Sequence, residues 1–320
     1  MRTTLLYLLL FGSLISTSCN SKGGKDLLVS EDFQKALQEK LINAQNGDVI
    51  ELPEGTFQLS KTLFLEGLSD ITIKGQGKDK TILSFKGQDE GSEGMYISNV
   101  KNITLSDFTI EDAKGDNIKI KHAEGVVIRN INARWTDGAK ETNGAYALYP
   151  VESRDVLVEN CEVSYASDAG IYVGQSTNVV VRWSYAHHNV AGIEIENCIN
   201  SDVYENKSIN NTGGILVFDL PNLPQANARI FKNEIRDNNH KNFAAKGNIV
   251  AAVPPGTGMI ILATDSVDIF DNNITDHKSA GIAIASYQLT QRPITDTAYG
   301  PYCNAISVRD NRISSNKLIV

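Results

Sequence analysis

Gly170-Ile171-Tyr172-Val173 returns four times along the chain, as Gly192-Ile193-Glu194-Ile195, Gly214-Ile215-Leu216-Val217, Gly258-Met259-Ile260-Ile261 and Gly281-Ile282-Ala283-Ile284. The glycines lie 22, 22, 44 and 23 residues apart (192 − 170, 214 − 192, 258 − 214, 281 − 258). A chain that revisits one local structure at so short a period is a solenoid, here with one coil lengthened.

A second marker keeps step with the first. Gly75, Asp107, Asn130, Asn160, Trp183, Asn206, Asn233, Asn272 and Asn311 each close a short alternating strand, such as Val126-Val127-Ile128 or Val179-Val180-Val181, whose β-branched residues suit a half-buried pleat. The spacing to the following apolar position is nearly constant: 118 − 107 is 11, 171 − 160 is 11, 193 − 183 is 10, 215 − 206 is 9 and 282 − 272 is 10. Each coil therefore reads as a strand, an Asn-type corner, a short strand such as Cys161-Glu162-Val163, and the Gly-Ile strand. A turn of roughly 22–24 residues has no room for a helix, so the sequence predicts an all-β fold, a single-stranded right-handed parallel β-helix. Asparagine suits the corners because it tolerates the left-handed backbone region and hydrogen-bonds to its own kind one coil away.

Composition agrees with one solenoid domain. The chain has 320 residues, 41% of them hydrophobic, enough for a long core that grows by adding coils. A formal net charge of −8, 7% aromatic content and no run of basic residues exclude a phosphate-neutralising surface, so nucleic acid is not an expected partner. Cys161, Cys198 and Cys303 occupy unequal coil positions and no zinc-like spacing, and are expected as small buried hydrophobes.

The N-terminus reads as a targeting segment. Arg2, the apolar stretch Leu5 to Ile15 and Ser16-Thr17-Ser18-Cys19 predict a lipoprotein signal over residues 1–18, with Cys19 as the lipid attachment site; the alternative is an ordinary secretory signal in which Cys19 is incidental. Residues 19–29 form a polar tether, and the absence of Asp after Cys19 points to the outer membrane of a bacterial cell envelope, on its periplasmic or surface face. The β-helix domain spans 30–320 and opens with a capping helix over about 30–45: Ser30 as N-cap, Glu31 and Asp32 in the first turn, and an apolar stripe of Phe33, Ala36, Leu37, Leu41 and Ala44 that closes the exposed end of the coils.

The strings Ser167-Asp168-Ala169-Gly170-Ile171-Tyr172-Val173, Asn189-Val190-Ala191-Gly192-Ile193-Glu194-Ile195 and Asn211-Thr212-Gly213-Gly214-Ile215-Leu216-Val217 resemble a family of exported bacterial right-handed parallel β-helix repeat proteins of the pectin-lyase-like superfamily. The resemblance runs from about Phe33 to the C-terminus. It implies a protein that binds, cleaves or epimerises polysaccharide. It also implies coils beyond the uncapped stretch Ser314 to Val320, so that a fragmentary chain is expected. The paired Asp-Asp and Gly-His-Gly of polygalacturonases, the Asp-Pro-His of mannuronan epimerases and the Trp-x-Asp-His of pectate lyases are all absent.

Alternation along the Gly-Ile strands places Ile171, Val173, Ile193, Ile195, Ile215 and Val217 inward, and Tyr172, Glu194, Glu196, Leu216 and Phe218 outward. The offset of 11 adds Lys119 and Lys121 to the outward face. Its axial order is basic, aromatic, acidic, apolar, a surface along which a sugar polymer meets stacking and hydrogen-bonding groups once per coil. Two longer connections overhang it, Arg134 to Pro150 and His240 to Gly256, and bring Trp135 and Phe243 as sugar platforms or as lids over core.

Asp168 and Glu194, one coil apart with Tyr172 between them, are the candidate catalytic carboxyls, since glycoside hydrolysis needs two at about 5–9 Å. The competing reading makes Glu194 and Glu196 a solvated acidic face and Asp168 a turn cap. A lyase or epimerase needs cationic neutralisation or Ca2+ with a Tyr, His or Lys base, for which Lys119, Lys121, His122 and Tyr172 qualify, although Glu194 and Glu196 repel a polyuronate. No metal site is assigned, the corner pair His187-His188 reading as surface. Three functions remain: a polysaccharide-binding or polysaccharide-processing lipoprotein, a noncatalytic structural or protein-interaction solenoid, and a periplasmic metal-handling β-helix, the last weakened by only 3 Met and 5 His.

Overall fold

A computed structural model describes residues 28–29, 31–221 and 226–314. The signal segment, Cys19, most of the tether and Ser30 lie outside the described residues. The chain winds as a parallel β-solenoid of about nine turns. One nine-stranded parallel sheet holds all five repeated phrases, at Ala169–Gly174, Ala191–Glu196, Gly213–Phe218, Thr257–Leu262 and Ala280–Ala285, with Ile171, Ile193, Ile215, Met259 and Ile282 in register. Four earlier strands without the phrase extend it, Lys61–Glu66, Glu90–Ser98, Ile118–Lys121 and Tyr146–Val151.

The phrase begins with glycine because the coils approach too closely there for a side chain. A Cβ on Gly214 would lie 2.3 Å from the carbonyl oxygen of Gly258, and one on Gly258 would lie 2.3 Å from that of Gly281. The inward Ile, Val and Leu rows merge into one continuous core. Cys161 and Cys198 are buried within it and Cys303 packs against it, none of the three in a disulfide, as the sequence leads one to expect.

Asparagine's two roles at the corner belong to two adjacent positions. The left-handed residue is Asp107, Asn130, Asn160, Trp183, Glu205, Lys232, Asp271 or Asp310, with φ between 52° and 63°. The residue after it points inward. Asn206, Asn233 and Asn272 form a buried ladder there that half-buried Asn311 ends, each passing its amide to the next at 2.9–3.1 Å. The sequence markers therefore mix two positions, and this accounts for the drift in their offsets: counted from the left-handed residue, 215 − 205 is 10 and 282 − 271 is 11. A second buried ladder, Asn189, Asn211 and Asn238, stands at the corner before the Gly-Ile strand. His277 continues it: its Nε2 lies 3.2 Å from the Ile235 carbonyl, as the Asn238 amide lies 2.9 Å from that of Ser208.

The helix Glu31–Ile42 closes the first coil as expected, burying Leu37 and Leu41. It also does what a further strand would do. Gln34 and Gln38, one helical turn apart, accept from the backbone N–H groups of Ser60 and Phe64 at 2.8 and 2.9 Å, and Gln38 donates to the Phe64 carbonyl at 3.1 Å. The open sheet edge is thereby satisfied by side chains and blocked against pairing with another chain.

Candidate functional site

One row of the nine-stranded sheet points outward and reads Phe64, Tyr96, Lys119, Tyr149 up to the middle of the molecule, then Tyr172, Glu194, Leu216, Ile260 and Ala283. The expected order of basic, aromatic, acidic and apolar steps is present, with an unforeseen aromatic step between Lys119 and Tyr172. Tyr146-Ala147-Leu148-Tyr149-Pro150-Val151 lies within the stretch the sequence assigns to a loop, yet it is a strand, Leu148 pairing with Ile118 and Ile171. It lacks the Gly-Ile phrase and contains proline. The signal was the offset: 148 − 130 is 18 where 171 − 160 is 11, so seven extra residues precede the strand and do not replace it.

Three tyrosines form the centre of the site. The Tyr146 ring lies 4.5 Å from both Tyr149 and Tyr172, and Tyr149 meets Tyr172 edge-on at 5.0 Å. Tyr172 lies down along its own strand over Gly174, where a Cβ would come within 2.4 Å of the ring. In this pose its hydroxyl donates to Glu196 Oε1 at 2.9 Å, which also accepts from Gln175 at 3.0 Å. Burial raises the Glu196 carboxyl above its usual range, against the pull of the Tyr172 and Gln175 hydrogen bonds. On the other side Lys119 sits 5.0 Å from the Tyr149 ring centre and 3.7 Å from Glu93. Asp116, 4.0 Å from Lys119, accepts from the Tyr146 N–H at 3.1 Å, and burial pushes its carboxyl up to about 6.

Asp168 and Glu194 come together, but not at the separation expected of hydrolytic carboxyls. Their side chains are close enough for each to act on the ionisation of the other. Asp168 Oδ1 and Glu194 Oε2 are both buried, and neither has any other donor, so a proton between the two carboxyls is what satisfies them. Burial raises both groups, with Glu196 adding to the rise at Asp168 and Asp168 to the rise at Glu194; Asp168 reaches about 7 and Glu194 stands well above its ordinary range. Two ionised carboxylates at such a distance in a dry site are mutually exclusive.

The acidic step is not a solvated face. Glu194 is 1% exposed, Asp168 5% and Tyr172 4%. The connection between Arg236 and Thr257 folds back over them, Asn248 donating to Asp168 Oδ2 at 3.2 Å. Val250 and Val253 from the same connection pack with Leu216 and Phe218 in a second apolar cluster, separate from the core, that Phe243 borders. Phe243 is thus part of a lid. Asn248, Tyr146, Tyr149 and Asp116 are the members of the site that sequence reasoning missed.

Trp135 must be removed from it. Its ring is buried in the core beside Gly144, and the indole N–H donates to the Ala113 carbonyl at 2.8 Å, so it fills a corner and offers no platform to a sugar. Lys121 is drawn to the far corner by Glu152, 3.3 Å away, which also holds His122 at 3.0 Å. His187 and His188 do not point apart, because the left-handed backbone of His188 brings their Nδ1 atoms to 2.8 Å. Among the described residues no group of three His, Cys, Asp or Glu is placed to hold a metal ion.

The family model described as "Right handed beta helix region" matches residues 135–291. The pre-neck appendage proteins of Bacillus phages PZA and phi29 are each 26% identical over 300 residues, covering 80% of this chain but 34% of their own length. The chain thus spans about a third of the curated relatives it matches. The A-module of a mannuronan C-5 epimerase from Azotobacter vinelandii superposes with a TM-score of 0.60 at 15% identity, covering 91% of this chain and 94% of that one. An alginate lyase from Paenibacillus superposes with a TM-score of 0.51 at 16% identity, covering 90% and 97%. At such identities these likenesses show the fold.

Proposed function

We propose that this chain, a right-handed parallel β-helix repeat protein, binds and processes polysaccharide on the outward face of its nine-stranded sheet, with the three tyrosines as the sugar platform and the Asp168–Glu194 pair as the proton-transferring group. The observation that carries the reading is the carboxyl pair itself. Burying two acids against each other beside a cluster of aromatic rings is costly, and a site that keeps a carboxyl protonated near neutral pH is suited to protonating a glycosidic or ring-adjacent oxygen. Tyr149 and Tyr146, half-buried at the open side of the lid, offer ring faces and hydroxyls to a sugar, and Lys119 offers a donor. That two of the structural neighbours are named as a mannuronan epimerase and an alginate lyase supports polysaccharide as the substrate class, though not the acidic kind they are named for.

The charges favour a neutral or weakly charged glycan. Glu93, Asp116, Glu196 and the pair outnumber Lys119, whose charge Glu93 and Asp116 already share. The carboxylates of this face do not converge into a metal-holding group, so a polyuronate would have to bring its own Ca2+. The test is a binding and depolymerisation screen of neutral and acidic polysaccharides, with and without Ca2+, on residues 20–320. Tyr149→Ala is expected to weaken binding by about fivefold or more, in line with a loss above ~1 kcal/mol when a ring that anchors an interface is truncated, and Asp168→Asn to abolish turnover with binding retained. Wild-type protein that binds no glycan under any of these conditions would overturn the reading and leave a noncatalytic interaction solenoid. Attachment to the bacterial envelope through Cys19 is part of the same proposal: Cys19→Ala should leave the precursor unprocessed or release the protein from the membrane fraction, and unchanged size and retention would sink it.

A further inference from the structure

The connection from residue 239 to 256 does not project into solvent, and it is held together from within. Asn242 donates to the carbonyls of Val250 and Val253 at 2.9 and 3.0 Å, fixing the single helical turn Ile249–Ala252 as a preformed piece. Both ends are bonded to the coils, His240 N–H to Asn211 O at 3.0 Å and Gly256 N–H to Asn238 O at 2.8 Å. Near its second end the Pro254 and Pro255 carbonyls accept from the hydroxyls of Thr257 and Ser279 at 2.7 and 2.6 Å; between the two ends it is held by the apolar contact of Val250 and Val253 and by two polar contacts. Arg292 donates to the Gly247 carbonyl, and Asn248 donates to Asp168 across 80 positions of sequence. No strand ladder ties it down.

We propose that residues 239–256 are a lid over the tyrosine–carboxyl site, latched by Asn248 on Asp168, and that closure weakens as the Asp168–Glu194 pair ionises, because the closed lid leaves the charge without water. The lid extends the glycan-site reading by saying how the buried pair is reached, but its test uses no glycan. Closed, the lid shuts water out from two acids. No cation faces them from any element packed around them. The strand Tyr146–Val151 brings the neutral phenol of Tyr146, the strand Ala169–Gly174 that of Tyr172, and the strand Ala191–Glu196 adds Glu196, itself occupied by Tyr172 and Gln175. Asp116 adds a further like charge. Lys119 stands three strands away from Glu194 and is engaged by Glu93 and Asp116. On the lid, Lys241 and Lys246 are exposed; at its first end His240 faces His188 and Phe243, and Arg292 is spent on a carbonyl. Asn248 favours an ionised Asp168, but burial opposes it and prevails.

The sign follows. Asp168 titrates at about 7 in the closed site, and an open, hydrated carboxyl titrates near ~4. Closure is therefore fully favoured below ~4 and loses ground as pH rises to about 7, by roughly tenfold per unit for that proton. Glu194, raised by burial and by Asp168, acts in the same direction.

Hydrogen exchange on the whole protein without ligand tests this, with rates corrected for intrinsic exchange. Ala251 and Val253, whose N–H groups bond within the helical turn, report the lid; the strand Asp265–Phe270 reports the coils. Protection at Ala251 and Val253 should fall about tenfold per pH unit between pH 5 and 7 while the strand holds steady. Asp168→Asn with Glu194→Gln should remove that slope, and Asn248→Ala should lower lid protection at pH 5 and leave the strand protected. A flat profile in the wild type, or lid and strand losing protection together, would overturn the lid. If the double variant does not fold, the wild-type profile and Asn248→Ala decide alone. A lid that opens as described on a protein that binds no glycan would discard the sugar and keep the gate.

Discussion

Ile195 and Glu194 are neighbours on one strand, point to opposite faces and are equally shut from water, at 0% and 1% exposure. They are buried by different agents. Ile195 stacks between Val173 and Val217 of the adjacent coils, in a row that every turn of the solenoid continues. Glu194 is covered by a single connection that leaves the coil and returns. Inward burial is thus a property of the repeat and can be read from any coil. Outward burial is a local event, decided by an insertion elsewhere in the chain, and only there is a charged group placed where its ionisation can be coupled to motion.

The sharpest way to separate the two is to place a charge on the inward side. Ile195→Asp buries a carboxylate with no partner in the core, and should cost several kcal/mol or prevent folding, read from chemical denaturation. The asparagine ladders offer a second pair. Asn233 accepts from both the backbone N–H and the amide of Asn206 inside the corner, at 3.0 and 3.1 Å. Asn233→Ala strands two buried donors, a loss of about 1–3 kcal/mol for each group left unsatisfied. The exposed outer ladder joins Asn178, Asn200 and Asn227 at 3.2–3.3 Å, and Asn200→Ala should stay within about 0.5 kcal/mol. Equal losses in the two variants would show that the ladders do not differ in kind.

The same division explains what could be read from the sequence. Period, strand phase and the in-register Gly-Ile rows were legible because each is stated five times over, and chance agreement fades with repetition. Asp168, Tyr172, Glu194 and Glu196 were legible as outward residues for the same reason. Their burial was not, because nothing in the residues 239–256 says where they lie: Asn248 meets Asp168 across the face of two intervening coils. Trp135 was misplaced by the opposite error. An aromatic residue next to an insertion reads as exposed, whereas the corner it occupies leaves a gap between coils that its ring fills. Tyr146 and Tyr149 were lost because Pro150 and the missing glycine hid a strand that only arithmetic on the coil length uncovers.

Gly174→Ala probes the outward face, since it changes a position that touches the lid only through the Tyr172 ring. The new methyl group would meet the Tyr172 ring, forcing the phenol off Glu196. A cost of about 1–3 kcal/mol is expected for such overpacking, with a rise in near-ultraviolet tyrosine signal change on unfolding lost in the variant. A fully retained Tyr172–Glu196 hydrogen bond, seen as an unchanged slowly exchanging hydroxyl proton, would mean that the ring does not depend on the glycine.

The smallest effect is expected where the outward row meets water. Lys119 and Asp116 stand on the same face as Glu194 but outside the lid, their side chains 23% and 12% exposed. Asp116 is raised to about 6 by burial while Lys119 pulls it down. Lys119→Gln removes that pull, so the Asp116 carboxyl should titrate higher than in the wild type, by less than about one unit because the pair is partly screened. Global stability should change by no more than about 0.5 kcal/mol. Carboxyl NMR titration gives both readings in one experiment. A downward shift would mean that Glu93, released from Lys119, is not the neighbour that dominates once the lysine is gone; no shift at all would mean that Lys119 serves Glu93 alone. Because Asp116 is also one of the like charges that raise Asp168, an upward shift at Asp116 should carry over to the lid's pH profile only weakly, and a large change there would mean that the open and covered halves of the row titrate as one unit.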